Sequence, residues 1–451
     1  MRELRARGVG GDLLALAATS PKRYPCLLES VALGSAQARY DILFAFPRDA
    51  FALHCDGRVR DAQGLELEGR FLDVLDAQWR LARTPWKPMK NVPFQGGWAL
   101  LLGYELAAQI ESGLRLPPAA DSAMPVALAL RCPAAIVHDH ATQRFYAVTE
   151  PEFAELEDSL ESDLESIPAF APKPPGECRI VEEAPQQFLD GVARVHDYLR
   201  SGDTYQVNLS REWRAEYSNA SPAANLYASL RRTNPAPFAG LLQWQDWALL
   251  SSSPERLVEA RGDLVQTRPI AGTCARAADG DDAALIRALV AHPKERAEHV
   301  MLIDLQRNDL GRVCMPGSVH VDELMTVESY AHVHHIVSNV RGKLRAHATP
   351  GEIIAALFPG GTITGCPKIR CMQIIAELER VGRGVYTGAL GYLDRDGSMD
   401  LNILIRSLTQ HGTTVRFRAG AGIVADSDAQ RELAETRAKA RGLLKALGAG
   451  W

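Results

Sequence analysis

Residues 399–425, MDLNILIRSLTQHGTTVRFRAGAGIVA, decide the fold. The runs MDLNILIRSLTQ and TVRFRAGAGIVA both read as strands, rich in β-branched and aromatic residues with polar ones interleaved. No helical pattern separates them, and a parallel pairing would need a crossover of a dozen or more residues. Outward from this pair, ALLSSSPERLVEA (248–260), GDLVQTRPI (262–270), GSVHVDEL (317–324), HHIVSNVRGKL (334–344) and GVYTGALGYLD (384–394) read the same way. Few crossover helices lie among them. The expected fold is therefore α+β: largely antiparallel sheets flanked by helices.

Composition bounds the rest. With 451 residues, 46% hydrophobic and 23% charged, the chain is expected to be globular with an ample core. A formal net charge of -5 and an aromatic fraction of 7% give neither a basic stripe nor a stacking platform, so nucleic-acid binding is not expected. No apolar run reaches the ~18 residues of a spanning helix, and the start, MRELRARGVGGDLLALAATSPKRYP, lacks a secretory pattern. A cytoplasmic protein without membrane contact is expected. The eight cysteines are scattered, with no Cys-x-x-Cys, and read as reduced, mostly buried thiols.

Before residue 165, YDILFAFP (40–47), GRFLDVLDAQWRLA (69–82) and GGWALLLGYELAAQI (96–110) mix strand-like and helical runs. ESDLESIPAFAPKPPGE (161–177) is acidic and then proline-rich, and reads as an exposed linker. The organisation expected is an N-terminal region over 1–165 packed into the same globule, a proline-rich linker over 166–178 and a catalytic region over 179–451. In that last region, QQFLDGVARVHDYLRSGD (186–203) should be a helix stopping at Gly202, followed by the strand TYQVNLSREWRA (204–215).

Two stretches with helical periodicity each carry a Glu-x-x-Glu pair: Glu295/Glu298 in KERAEHVMLIDL and Glu432/Glu435 in QRELAETRAKARGLL. Spacing of three puts both carboxylates of a pair on one helix face. Like charges there are mutually unfavourable, and a hard dication such as Mg²⁺, which prefers oxygen ligands and keeps positions open for an anionic substrate, would relieve them. Glycine-rich PGGTITGCPKIRCMQIIAELE (359–379) offers backbone N–H groups at a helix start, where an anion is welcome. YTGALGYL and AGAGIVADSD are further glycine-rich loops. Arg406, in what reads as a strand with apolar neighbours, and Lys439, beyond Glu435 on the same helix, are cations suited to ligand carboxylates.

These residues carry a resemblance. DLQRNDLGRV (304–313), RPIAGT (268–273), HHIVS (334–338), FPGGTITGCPKIR (358–370), YTGALGYL (386–393) and GAGIVADSD…ELAETRAKA (420–440) resemble, in order, the motifs of the chorismate-utilising enzymes. CLLES (26–30), RYD (39–41) and GGWALLLGYE (96–105) resemble the aminating branch, component I of anthranilate synthase and of aminodeoxychorismate synthase. The resemblance implies two packed antiparallel sheets surrounded by helices, and a Mg²⁺-dependent substitution on chorismate. It implies Glu298 and Glu435 as Mg²⁺ ligands, with Glu295 and Glu432 acting through water or orienting them. Glu255 matches the general acid, which must be protonated near neutral pH to help the C4 hydroxyl leave. Arg406, Lys439 and the loop Gly420, Ala421 and Gly422 would hold carboxylates, with Gly361, Thr362 and Tyr386 also on the substrate side. Thr273 and His335 match positions lining the ring, and Leu28, Glu29 and Ser30 match an effector pocket for tryptophan.

The nucleophile is implied by Gln206. Relatives that add water carry a lysine there as base, whereas an amide cannot take a proton and ammonia needs no base. No glutaminase motif is present, so ammonia is expected from a separate glutamine amidotransferase subunit. YQVNLS (205–210) and NPAPFAG (234–240) resemble aminodeoxychorismate synthase component I, in the folate pathway through para-aminobenzoate. Ala271, where the best-described members of that group carry a covalent lysine, resembles anthranilate synthase component I instead. The expectation is the former enzyme, of a type lacking the lysine. A silent amidotransferase-binding or tryptophan-sensing scaffold would have no need of Glu255, Glu298 and Glu435.

Overall fold

A computed structural model of the chain describes residues 2–4, 11–32, 38–85, 92–121, 123–276, 282–329 and 333–449, without the side chains of 4, 273–275, 294 and 333. Its framework is two 12-stranded sheets in which the strand pairings are antiparallel. The first runs Arg2–Leu4, Arg144–Thr149, Ala134–Asp139, Tyr40–Ala45, Cys26–Glu29, Phe238–Trp244, Trp247–Ser253, Ser407–His411, Thr414–Ile423, Gln206–Tyr217 and Cys178–Glu182, with Gly365–Cys366 added beside Gln206. The second runs Ile270–Ala275, Val333–Lys343, Leu264–Thr267, Arg256–Arg261, Met399–Asn402, Ala389–Asp394, Gly97–Leu102, Ala127–Cys132, Ala50–Leu53, Val59–Asp61 and Glu66–Leu67, with His320–Ser329 paired to Val333–Lys343. Strands from both sides of the proline-rich segment enter both sheets.

The layers follow from which faces are apolar. Phe44, Ile42, Val137 and Leu249 of the first sheet meet Leu101, Leu128 and Leu130 of the second, so the sheets pack face to face. The outer face of the first is covered by helices that include Ala223–Thr233 and Ala429–Ala446, through Leu226, Leu230, Ala440 and Leu443. The outer face of the second is covered by Phe71–Ala82, Pro293–Gly311 and Pro350–Leu357. Both helices with glutamate pairs have defined starts: Asp428 accepts from the Arg431 amide at 2.9 Å, and the His292 ring accepts from Glu295. Among the described residues no helix is long and apolar enough to cross a membrane.

Three sequence expectations change. MDLNILIRSLTQ is not one strand: Met399–Asn402 belongs to the second sheet and Ser407–His411 to the first, and Arg406 sits in the break between them with φ +52° rather than in a strand. ALLSSSPERLVEA breaks likewise at Pro254–Glu255, with Trp247–Ser253 in the first sheet and Arg256–Arg261 in the second. In the linker, the acidic ESDLE is the end of the helix Leu156–Glu165, because Leu160 and Leu164 bury against the core. The helix before Gly202 ends as expected, Pro185–Arg200, with Gly202 at φ +77°.

Candidate active site

The two breaks are neighbours, and together they form the floor of the site. Ser251 pairs with Ser407 on one side of them and Arg256 with Asn402 on the other, so a two-stranded ribbon passes from one sheet to the other. The Ile403 amide donates to the Glu255 carbonyl at 2.9 Å, and the Ser252 amide donates to the Arg406 carbonyl at 3.2 Å. Glu255 and Arg406 thus stand at the seam between the sheets. Their positions are set by the crossing, a contact between segments about 150 residues apart that local periodicity cannot encode.

A cavity of about 180 Å³ opens at this seam. Among the residues singled out in sequence, Glu255, His335, Thr362, Tyr386, Arg406, Gly420 and Lys439 line it; Asn208 and Arg418 line it too. Four buried polar atoms on its wall lack a hydrogen-bond partner: Glu255 Oε1, Thr362 Oγ1, Asn208 Oδ1 and Arg418 Nη1. Buried polar groups are nearly always paired, so such a convergence marks the place of a polar ligand.

The electrostatics fit an anion beside a neutral acid. Burial raises the pKa of Glu255 to about 7, overcoming the Thr362 hydroxyl, the Ile270 amide and the charge of Lys439, which oppose the rise. Burial, reinforced by Arg406 and His334, lowers His335 to about 4, so its ring is neutral at pH 7. Burial also lowers the pKa of Arg406, with no carboxylate offsetting it among the described residues. A half-buried, desolvated guanidinium without a carboxylate is costly, and a ligand carboxylate would satisfy it.

Sequence reasoning missed the support behind this wall. Arg418 Nε donates to Ser210 Oγ at 3.0 Å and its Nη2 to Glu379 Oε2 at 3.2 Å. Arg383 Nη2 donates to Glu379 Oε1 and to the Asn208 carbonyl, both at 2.7 Å. Burial would raise Glu379, but Arg383 and Arg418 outweigh it and hold the carboxyl below its ordinary range. One carboxylate between two guanidiniums leaves a net positive wall. The signal was present in TVRFRAGAG, where charged Arg416 and Arg418 alternate in a strand, and Arg418 is buried.

Other expected residues lie around the cavity rather than on it. Gln206, buried on the strand Gln206–Tyr217, presses its amide on Gly422, where a Cβ would have no room. Gly361 likewise presses on Leu305 of the helix Pro293–Gly311, which fixes the turn that carries Thr362. Ala421 is buried beside Leu209 in the ladder. Ala271 pairs with Ile336 next to Ile270, which lines the cavity, and Thr273 pairs with His335 although its side chain lies outside the described residues. Leu28, Glu29 and Ser30 do not line this cavity: they line a separate one of about 500 Å³ with Tyr40, Pro237, Arg256 and Tyr392. A third cavity, of about 390 Å³, shares Tyr386 and Arg418 with the site. Both are larger than the site, whose assignment rests on its buried acid and guanidiniums, not its size.

The glutamate pairs stand on the two capped helices. Glu295 brings Oε2 to 3.0 Å from where a Cβ would lie at Gly272, and Glu298 is half-buried one turn further on. Glu432 is half-buried, and the exposed Glu435 pairs with Lys439 at 2.7 Å. No three of these carboxylates lie within 4.8 Å of one another. The donor set suits Mg²⁺ nonetheless, since that ion usually takes one or two carboxylates, retains waters and is completed by an anionic substrate.

A sequence model of the chorismate binding enzyme family matches residues 32–445. The chain is 42% identical over 363 residues to an anthranilate synthase component I-like protein of Synechocystis sp., covering 79% of this chain and 74% of that one. It is 38% identical over 366 residues to aminodeoxychorismate synthase component 1 of Bacillus subtilis, covering 78% and 77%. The crystal structure of anthranilate synthase component I from Streptococcus pneumoniae superposes with a TM-score of 0.80 at 33% identity, covering 91% of this chain and 93% of that one. With the match spanning both sheets and the seam between them, the chain belongs to the chorismate-binding enzyme family, enzymes that act on chorismate.

Proposed function

We propose that the protein is component I of aminodeoxychorismate synthase, converting chorismate and ammonia to 4-amino-4-deoxychorismate for para-aminobenzoate and folate synthesis. A separate glutamine amidotransferase supplies the ammonia. The observation that carries this reading is the meeting, at one seam, of a buried acid with a pKa near 7, the buried Arg418, whose Nη1 lacks a hydrogen bond, and the half-buried Arg406, which has no carboxylate partner among the described residues. Chorismate is a dicarboxylate with a hydroxyl at C4 that must leave. Arg406, Arg418 and Lys439 bind and orient its carboxylates, and neutral Glu255 donates the proton that lets the hydroxyl depart as water. Ammonia enters at C2, with Gln206 offering no base that would activate water in its place.

The groups that would hold Mg²⁺ are Glu298 and Glu435, with Glu295 and Glu432 beside them. When bound, the ion supplies charge neutralisation and a template for the ring carboxylate. His335, neutral at pH 7, borders the ring without adding positive charge. After ammonia has entered at C2, a second ammonia attacking C4, with the C2 amine leaving as ammonia, gives 4-amino-4-deoxychorismate; loss of pyruvate from the C2 adduct gives anthranilate instead.

YQVNLS and NPAPFAG favour the first outcome. Ala271 favours the second, anthranilate synthase component I, because it offers no amine for covalent attack at C2. Incubation with chorismate, Mg²⁺ and ammonium, with products read by mass and ultraviolet spectrum, separates the two. Detection of 4-amino-4-deoxychorismate, converted further by added lyase, supports the proposal; anthranilate as the sole product sinks it.

A further inference from the structure

A second constellation lies on the strands Tyr40–Ala45 and Ala134–Asp139, apart from the chorismate cavity. Asp41 and His138 oppose each other in the antiparallel register, and His140, two residues on, falls on the same face. Asp41 Oδ2 is 2.8 Å from His140 Nε2 and 3.6 Å from His138 Nδ1. One ligand atom from each of the three lies within 4.8 Å of the others. The side chains are largely buried, with 11%, 14% and 19% exposure for Asp41, His138 and His140.

The group is held as ligands are held. Asp41 Oδ1 accepts from the Ser30 amide at 2.9 Å, which orients the carboxylate and leaves Oδ2 towards the imidazoles. His138 stacks on Phe145 at 4.2 Å and 7°, which fixes its ring. His140 Nε2 is buried without a hydrogen-bond partner, so its approach to Asp41 lacks hydrogen-bond geometry.

Charge points the same way. Among the described residues, Asp12, Glu29, Asp41 and Asp139 face two guanidiniums here: Arg231, on Asp12 at 3.1 Å and Glu29 at 2.9 Å, and Arg39, on Asp139 at 3.1 Å. Burial raises Glu29 to about 7, so between one and two negative charges remain when both histidines are neutral, which favours a cation.

We propose that Asp41, His138 and His140 bind a divalent transition-metal ion of the zinc type, with a fourth position open to water. Two imidazoles and one carboxylate are a borderline donor set suited to Zn²⁺, whereas Mg²⁺ prefers oxygen alone. A tetrahedral ion with bonds of about 2.0–2.1 Å separates its ligands by ~3.3 Å. Asp41 and His138 already stand near that spacing, and a small rotation of the His140 ring provides the rest. Because Asp41 also holds the Ser30 amide, the ion would stiffen the wall of the 500 Å³ cavity that Leu28, Glu29 and Ser30 line. The ion lies apart from the chorismate cavity, and its presence does not depend on which product the enzyme makes.

The test uses the full-length protein, stripped with chelator, dialysed, and titrated with Zn²⁺ in excess Mg²⁺ so that hard carboxylate sites are occupied. One Zn²⁺ per chain by calorimetry and elemental analysis is expected. Its affinity should fall at least about tenfold in His138→Ala and in His140→Ala, each checked for folding by circular dichroism. Co²⁺ on the unmutated protein should give the intense visible absorption of a four-coordinate site, a readout that needs no variant. Absence of Zn²⁺ binding, equal Zn²⁺ binding by wild type and by the His138→Ala/His140→Ala double variant, or only weak six-coordinate Co²⁺ absorption would overturn the proposal. A histidine pair that takes up protons but no metal belongs to the first of these outcomes.

Discussion

Lys439 Nζ lies 2.7 Å from Glu435 Oε1, one turn earlier on the same helix, and 3.0 Å from the Gly420 carbonyl. The residue proposed to hold a substrate carboxylate is therefore paired with one proposed to hold Mg²⁺. Both side chains are nearly half exposed, and such i,i+4 pairs are worth only about 0.3–0.5 kcal/mol. Lys439→Met should then tighten apparent Mg²⁺ binding by about twofold, as that energy difference implies, while raising the KM for chorismate. Magnesium titrations of chorismate turnover give both quantities. A variant with weaker Mg²⁺ binding would show that Lys439 does not compete for Glu435.

Glu255→Gln removes the proposed proton donor. Turnover should fall by about 10²–10⁴-fold while chorismate binding stays measurable. The pH dependence of stability is a separate readout. With its folded pKa raised to about 7, Glu255 favours the folded state while protonated, and that contribution is lost as pH rises from its unfolded value through 7. The variant should therefore be more stable than wild type at pH 8, by about 2–3 kcal/mol, with the difference shrinking towards pH 5. Urea denaturation at the two pH values measures this; a pH-independent difference contradicts the assignment of the raised pKa.

Arg406 is charged, half-buried and, among the described residues, without a carboxylate partner. Arg406→Met should stabilise the ligand-free protein, since it removes a desolvated charge, and should weaken chorismate binding at least tenfold, about 1.4 kcal/mol. Thermal unfolding with and without chorismate tests both halves. Loss of stability in the ligand-free variant would mean that Arg406 serves the fold instead.

Glu379 sits between Arg383 and Arg418 with 1% side-chain exposure. Glu379→Gln leaves two guanidiniums uncompensated and should cost about 3–5 kcal/mol of stability. The KM for chorismate should rise as well, because Arg418 loses the group that aims it. A loss below about 1 kcal/mol by denaturant titration would be inconsistent with a buried ion triad.

Much of this protein was legible locally. The alternating start of TVRFRAGAGIVA, and the lack of helices between strand-like runs, determined antiparallel sheets; the spacing of Glu295/Glu298 and Glu432/Glu435 determined which helices carry paired acids. The motif order determined the family. Only the tertiary structure decided where the chain changes sheets, and with it the site. Apolar residues on both sides of Arg406 read as continuous strand, because a buried segment looks alike whichever sheet it joins. The same limit applies to Glu255, whose pKa near 7 comes from burial at the seam against the opposing pull of Thr362, Ile270 and Lys439, and to Arg418, whose carboxylate partner is 39 residues away. Periodicity reports a residue's own face, whereas pairing across sheets and the desolvation of a charge are properties of groups that meet only in the folded chain.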